Sequence, residues 1–298
     1  MTKKRLISVN GNIVEPEQAN VSVLDRGFLY GDSIYEVIHL KKRVGVFYHE
    51  HMNRLERSAA LIGMKLHKDR DELWLDACKL LKAVDLEDAY LRIVITRGVG
   101  DLNLYEEPRE QTLVMIAQPI PNYPDRFFSE GIFLSIAKRL RNHPKTTDPR
   151  AKSGNYLNNL LALKEARDKG ADDALMENLD GNITEGTTFN IWCVSHDVLY
   201  TPPVHSGILE GITRMKIIDV CKSFDVAYKE SDFNARFLLG CDEVFITSST
   251  RGVMPVKKID ARIYDKSPLE ASSTTARVSD LYNEEVLKDI RYSHYKVR

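Results

Sequence analysis

Several things this 298-residue chain does not contain narrow it at once. Its cysteines, Cys78, Cys193, Cys221 and Cys241, are widely separated and form no C-x-x-C pair, and most sit in apolar runs such as Ile191-Trp192-Cys193-Val194. They are expected as reduced thiols in a cytosolic core, which excludes a disulfide framework and a metal cluster. No apolar run approaches the roughly 20 residues that cross a bilayer. The basic start MTKKRLISVNGN lacks the apolar segment of a secretion signal, so a soluble, cytoplasmic protein is expected. No sign of charge dominates: 42 basic against 43 acidic side chains give −1, with no long run of either, and nucleic acid and membrane surfaces are not expected partners. G-x-x-x-x-G-K-[ST], a complete G-x-G-x-x-G, G-x-S-x-G and internal repeats are all missing, which removes nucleotide-binding and serine-hydrolase chemistry. His49-Glu50-His51 is no zinc site, because histidines at i and i+2 do not share a helix face.

What is present points to small-molecule chemistry. A 43% hydrophobic chain of this length can bury two ordinary cores. Prolines 119, 121 and 124 mark a linker over 121–128, between an N-terminal domain, 1–120, and a C-terminal domain, 129–298. Asn10-Gly11 predicts a hairpin between strands 5–9 and 12–14. Further strands are expected at Ile34–Leu40, Val44–Tyr48, 89–97, 112–118, Gly131–Lys138, 189–195, Val198–Tyr200 and 243–247. Helical periodicity marks Met52, Leu55, Ala59 and Ile62, then 69–84, the run after Lys152, the segment after Gly211, and 268–290.

Signals crowd most densely between residues 148 and 192. Lys152 precedes a helical stripe through Tyr156, Leu157, Leu160, Leu161 and Leu163. A lysine at a helix start faces the positive end of the macrodipole, which favours a neutral, nucleophilic amine if the group is buried. Glu185 closes the stretch in Ile183-Thr184-Glu185-Gly186. Elsewhere, Arg92 interrupts the apolar strand AYLRIVITR, where it could face solvent, pair with an acid or bind a substrate carboxylate. Gly211-Ile212-Thr213 opens a helix and Ser248-Ser249 lies in a hydroxyl-rich turn; each is either an anion site or simple capping.

The run K-S-G-N-Y-L-N-N-L-L-A-L, followed by G-A-D-D-A-L and I-T-E-G-T-T-F-N-I, resembles the fold-type IV pyridoxal-phosphate (PLP) enzymes, as does D-R-G-x-x-x-G-D-x-x-Y-E at Asp25–Glu36. That family includes branched-chain aminotransferases, D-amino-acid aminotransferases and aminodeoxychorismate lyases. The resemblance implies an α+β protein with an N-terminal α/β sandwich domain and a C-terminal pseudo-barrel domain that binds pyridoxal 5'-phosphate. It implies Lys152 as cofactor tether and catalytic base, Glu185 on the pyridine nitrogen and Tyr156 on the ring oxygen. Arg54 in H-x-x-R-L, Gly211, Ile212, Thr213, Ser248 and Ser249 are implied as phosphate contacts. It further implies Tyr30, Tyr35, Tyr90, Arg92 and Leu104 around the substrate, with Tyr30 contributed across a homodimer interface.

Tyr90-Leu91-Arg92 matches the tyrosine-x-arginine of branched-chain aminotransferases. The loop GVGDLNL lacks the arginine and histidine that better-known D-amino-acid enzymes place near Leu102 and Leu104. A transaminase exchanging the amino group of a branched-chain or apolar L-amino acid with a 2-oxo acid such as 2-oxoglutarate is therefore expected. The alternatives are a D-amino-acid aminotransferase, a lyase of the aminodeoxychorismate type, which releases pyruvate without an acceptor, and a non-catalytic carrier of the cofactor.

Overall fold

The computed structural model describes residues 5–264 and 273–297. Its contacts cluster into two compact units: Met1–Pro121 with Ala151–Asn155 and Lys288–Arg298, and Asn122–Arg150 with Tyr156–Leu287.

In the first unit, Asn10 and Gly11 take φ of 50° and 87°, the left-handed pair that a tight hairpin requires. β1 (Leu6–Val9) therefore folds back on β2 (Asn12–Val14) with Val9 opposite Asn12. There follow α1 (Arg26–Tyr30), β3 (Ser33–Lys41), β4 (Val44–Gly45), α2 (Tyr48–Leu61), α3 (Arg70–Val84), β5 (Ala89–Thr96) and β6 (Thr112–Gln118). The strands form one sheet in the order β2-β1-β6-β5-β3-β4, antiparallel throughout. The strand expected over Val44–Tyr48 ends at Gly45, because Phe47 turns left-handed (φ 52°) and caps α2. α3 begins with a capping box between Asp69 and Glu72.

Side chains alternate across the sheet. Ile34, Ile38 and Leu40 of β3 and Leu91, Ile93 and Ile95 of β5 pack in one core with Leu55 of α2 and Leu80 of α3. Tyr35, Val37 and His39 share the other face with Tyr90, Arg92 and Val94, their partners in register.

The second unit contains α4 (Arg126–Ser129), β7 (Ile132–Ile136), α5 (Leu157–Asp168), β8 (Asp173–Glu177), β9 (Ile183–Gly186), β10 (Asn190–Ser195) and β11 (Val198–Thr201). The chain continues through α6 (Ile212–Ser223), β12 (Tyr228–Glu230), α7 (Ala235–Gly240), β13 (Glu243–Ser248), β14 (Gly252–Ile259), β15 (Arg262–Ile263) and α8 (Thr274–Tyr292), which runs on past Leu287. Strands β10-β13-β14-β7-β8-β9 hydrogen-bond in sequence, and Asn190 pairs with Glu185 to join β9 back to β10, so this ring closes as a barrel. β11 and β12 extend it from β10, and β15 pairs with β14. Leu134, Leu175, Ile183, Ile191, Val244 and Ile246 belong to one apolar core. Asn190 and Trp192 alternate away from it, and Trp192 stacks on Phe245 of β13 at 5.8 Å. The start of the helix expected over 268–290 lies outside the described residues. Among the described residues no helix is long and apolar enough to cross a membrane.

Candidate functional site

Lys152 is not at a helix start. The first residue of α5 is Leu157, and the macrodipole's influence falls off within the first turn, so its field does not account for this lysine. Instead, the segment around Lys152 adds a short antiparallel rung to β3. Tyr35 N–H donates to the Lys152 carbonyl at 2.9 Å, Gly154 N–H donates to the Ser33 carbonyl at 2.8 Å, and Ile34 bridges Ser153. Glycine at 154 lets the segments approach closely, since a Cβ there would stand 2.2 Å from Ser33 Oγ and would make that hydroxyl turn away.

This rung brings Lys152 Nζ to Tyr35, where it donates to the hydroxyl at 3.3 Å and lies 4.3 Å from the ring centroid. The β3–β5 register sets Tyr35 opposite Val94, so Arg92 stands diagonally across on the same face. Its guanidinium lies 3.9 Å over the same ring. Tyr35 is thus a buried aromatic platform carrying two cations. Half-buried Tyr90 shares this face.

Arg54 reaches back from α2 to β3. Its Nε and Nη2 donate to Glu36 Oε1 and Oε2 at 2.7 and 2.8 Å, and His51 Nδ1 lies 2.7 Å from Oε2. All three side chains are buried. Burial pushes the Glu36 carboxyl upward, but the Arg54 charge, its hydrogen bonds and His51 override this and hold it well below the usual carboxylate range. Burial pulls His51 below its ordinary value, so the imidazole is neutral and Nδ1–H donates to Glu36. Tyr30 and Leu104 lie on exposed surface, and the Tyr30 hydroxyl donates to the Leu102 carbonyl at 3.4 Å. The first unit therefore groups Tyr35, Arg92 and Lys152, and separately Glu36, His51 and Arg54.

In the second unit Glu185 lies in β9 and is only 4% exposed. Arg141 Nε and Nη2 donate to Oε1 at 3.0 and 2.8 Å, while Asn190 Nδ2 and Leu209 N–H donate to Oε2 at 3.2 and 3.0 Å. Four donors satisfy a buried carboxylate and fix its direction. The Tyr156 hydroxyl and Asn159 Nδ2 both donate to the Thr187 carbonyl at 2.7 Å.

Gly211 caps α6, whose first turn receives no side-chain cap. A Cβ at 211 would lie 2.0 Å from Asn190 Oδ1 and would have to displace an amide that donates to Glu185 and to the Leu209 carbonyl. Thr213 is buried, its hydroxyl 3.4 Å from that of Tyr282. Ser248 ends β13 and accepts from Arg251 Nε at 3.1 Å, and Ser249 follows in the turn.

Glu36, Arg141, Asn159, Asn190 and Arg251 escaped sequence reasoning. Glu36 alone carried a signal, since it alternates with Ile34 and Ile38 on the core side of β3, where a charge needs a partner. Arg141 and Arg251 sit in irregular segments, and Asn159 in α5 and Asn190 in β10 lie in elements whose periodicity does not tell a buried asparagine from an exposed one.

Within the second unit, the start of α6 at Gly211 offers backbone donors to a phosphate-sized anion and Glu185 offers an oriented carboxylate, groups whose chemistry suits pyridoxal phosphate; within the first, Lys152 offers an amine next to the Arg92 cation.

Residues 33–259 match the family model described as amino-transferase class IV. A protein of Methanocaldococcus jannaschii assigned as a branched-chain-amino-acid aminotransferase is 35% identical over 289 residues, 96% of each chain. The D-alanine aminotransferase of Bacillus licheniformis is 32% identical over 279 residues, covering 92% of this chain and 96% of its own. The branched-chain aminotransferase from Thermoproteus uzoniensis, solved with norvaline, superposes with a TM-score of 0.88 at 28% identity, covering 98% of this chain and 99% of that one. The branched-chain aminotransferase from Thermobaculum terrenum, solved in its PLP form, gives 0.84 at 25% identity over 99% and 98% of the two chains. The antiparallel sheet unit and the closed-barrel unit, with these likenesses, define a fold-type IV, PLP-dependent aminotransferase. The chain belongs to the class IV aminotransferase family.

Proposed function

We propose that this enzyme transfers the amino group of a branched-chain or similarly apolar L-amino acid to a 2-oxo acid such as 2-oxoglutarate. The observation that carries this is the Arg92 guanidinium over the Tyr35 ring that Lys152 Nζ also touches. It sets a fixed cation for a substrate carboxylate beside the amine that does the chemistry, with Tyr90 on the same sheet face. The loop near Leu102 and Leu104 offers no arginine or histidine to trap that carboxylate in a second way.

Bound PLP supplies the electron sink for the pair left when Cα loses its proton. Lys152 Nζ would hold the cofactor covalently, and its free amine would serve as the base that moves the substrate's Cα proton. Glu185, its direction fixed by Arg141 and Asn190, would keep the cofactor's pyridine nitrogen protonated. Arg54, Gly211, Ile212, Thr213, Ser248 and Ser249 hold the phosphate, and Tyr156 orients the ring oxygen. Tyr30, Tyr35, Tyr90, Arg92 and Leu104 surround the substrate. The working form is a homodimer, supported by exposed apolar side chains on the first unit, among them Phe28, Leu102 and Leu104. Four free cysteines suit the reducing cytoplasm.

A half-reaction screen, mixing the PLP enzyme with L- and D-amino acids and following the cofactor's absorbance, tests the substrate. L-leucine, L-isoleucine and L-valine are expected to convert it at least about tenfold faster than D-alanine; the reverse order makes it a D-amino-acid aminotransferase. Lys152→Ala is expected to lose turnover by at least about a thousandfold, together with the visible band of the tethered cofactor.

A further inference from the structure

We infer that the Ser58 hydroxyl is the positioning group that holds the Lys152 main chain in its working place. Ser58 stands one turn beyond Arg54 on α2 and is fully buried. Its Oγ donates to the Arg54 carbonyl at 2.8 Å and accepts the Lys152 N–H at 3.0 Å. A helical serine bonded back to the carbonyl four residues earlier ordinarily contributes little. Here its oxygen also receives a peptide 94 residues further along the chain.

From the opposite side, Tyr35 N–H donates to the Lys152 carbonyl at 2.9 Å. One peptide unit flanking Lys152 is therefore held by α2 and the next by β3, while its side chain extends to the Tyr35 hydroxyl. The same helix carries Arg54, so the lysine and the proposed phosphate ligand share one rigid support. Alanine at position 58 would leave a part-buried N–H without its acceptor, which the chain relieves by drifting from α2 or admitting water. A proton shuttle tolerates little drift, since a misplacement of about 1 Å can cost on the order of a hundredfold in rate. Lys152 is the catalytic lysine in the proposed function, and the role of Ser58 rests on that assignment.

Four measurements on the full chain test this, with Ala77→Gly as a comparison that weakens α3 in the same unit at a residue whose side chain makes none of these hydrogen bonds. In Ser58→Ala, kcat is expected to fall about tenfold or more while the KM for the amino donor changes less than about threefold. The pH midpoint of the bound cofactor's visible absorbance moves by about half a unit or more. In the cofactor-free protein, amide exchange at Lys152 quickens about tenfold or more. Ala77→Gly lowers the thermal midpoint and leaves the absorbance midpoint and Lys152 exchange unchanged. If Ser58→Ala does not fold, Ser58→Cys, which fills the volume with a poor acceptor, is measured the same way. A wild-type absorbance midpoint and wild-type exchange at Lys152, with or without a lower thermal midpoint, overturn the role of Ser58. Retention of turnover by Lys152→Ala overturns the lysine assignment itself, a distinct result.

Discussion

His51 shows how far a residue's surroundings outweigh its sequence context. Within His49-Glu50-His51 it suggests a metal, yet it is a buried neutral donor to Glu36, beside Arg54 and near Lys152. Its lowered pKa has a definite consequence for stability. Below about pH 6.5 an unfolded chain protonates this histidine while the folded chain resists, so the unfolded state binds more protons and stability falls as pH drops through that window. Glu36 contributes in the same direction but much lower, because its depressed pKa keeps it ionised until strongly acid conditions. His51→Gln retains an N–H donor and cannot titrate. Its thermal midpoint is expected to fall less than the wild type's between about pH 7 and pH 5, the gap corresponding to on the order of 1 kcal/mol. Parallel melting curves for the two proteins would contradict a buried neutral His51.

Elements matter where two of them meet at a glycine. The start of α6 is open because residue 211 has no side chain, and Asn190 of β10 occupies the space that a Cβ would need. That asparagine also donates to Glu185 at 3.2 Å, so crowding it disturbs the proposed ring-nitrogen carboxylate as well as the proposed phosphate site. Gly211→Ala is therefore expected to weaken PLP binding by about tenfold or more, measured by titrating cofactor-free protein, while costing about 1–3 kcal/mol of stability from overpacking. Unchanged affinity would show that α6 does not receive the phosphate. The helical pattern after Gly211 was readable from its own residues, as were the hairpin at Asn10-Gly11 and the capped α3. Elements β8 and β9 were not, since their short strands show no clean alternation.

For the whole molecule, the first unit exposes Phe28 by 71% and Tyr105 by 98%, side chains that the proposed dimer could cover. Light scattering is expected to give twice the 34.0 kDa chain mass, and Phe28→Asp to shift the protein toward monomer with activity reduced about tenfold or more. A dimer as tight and active as the wild type would place the interface elsewhere. The sequence by itself pointed to the chemistry through motifs that resemble the fold-type IV enzymes, whereas local pattern alone left Lys152, Arg92 and the turn at Gly211 with ordinary readings, and the helix start expected at Lys152 is not there. The sequence did determine the mixed architecture, through the periods of its strands and helices. Only the tertiary structure decided what orients those groups. Glu36 meets Arg54, Ser58 meets Lys152 and Arg141 meets Glu185 because strand pairing and helix packing join segments apart in the chain, and no local spacing encodes bonds closed across 18, 94 and 44 residues.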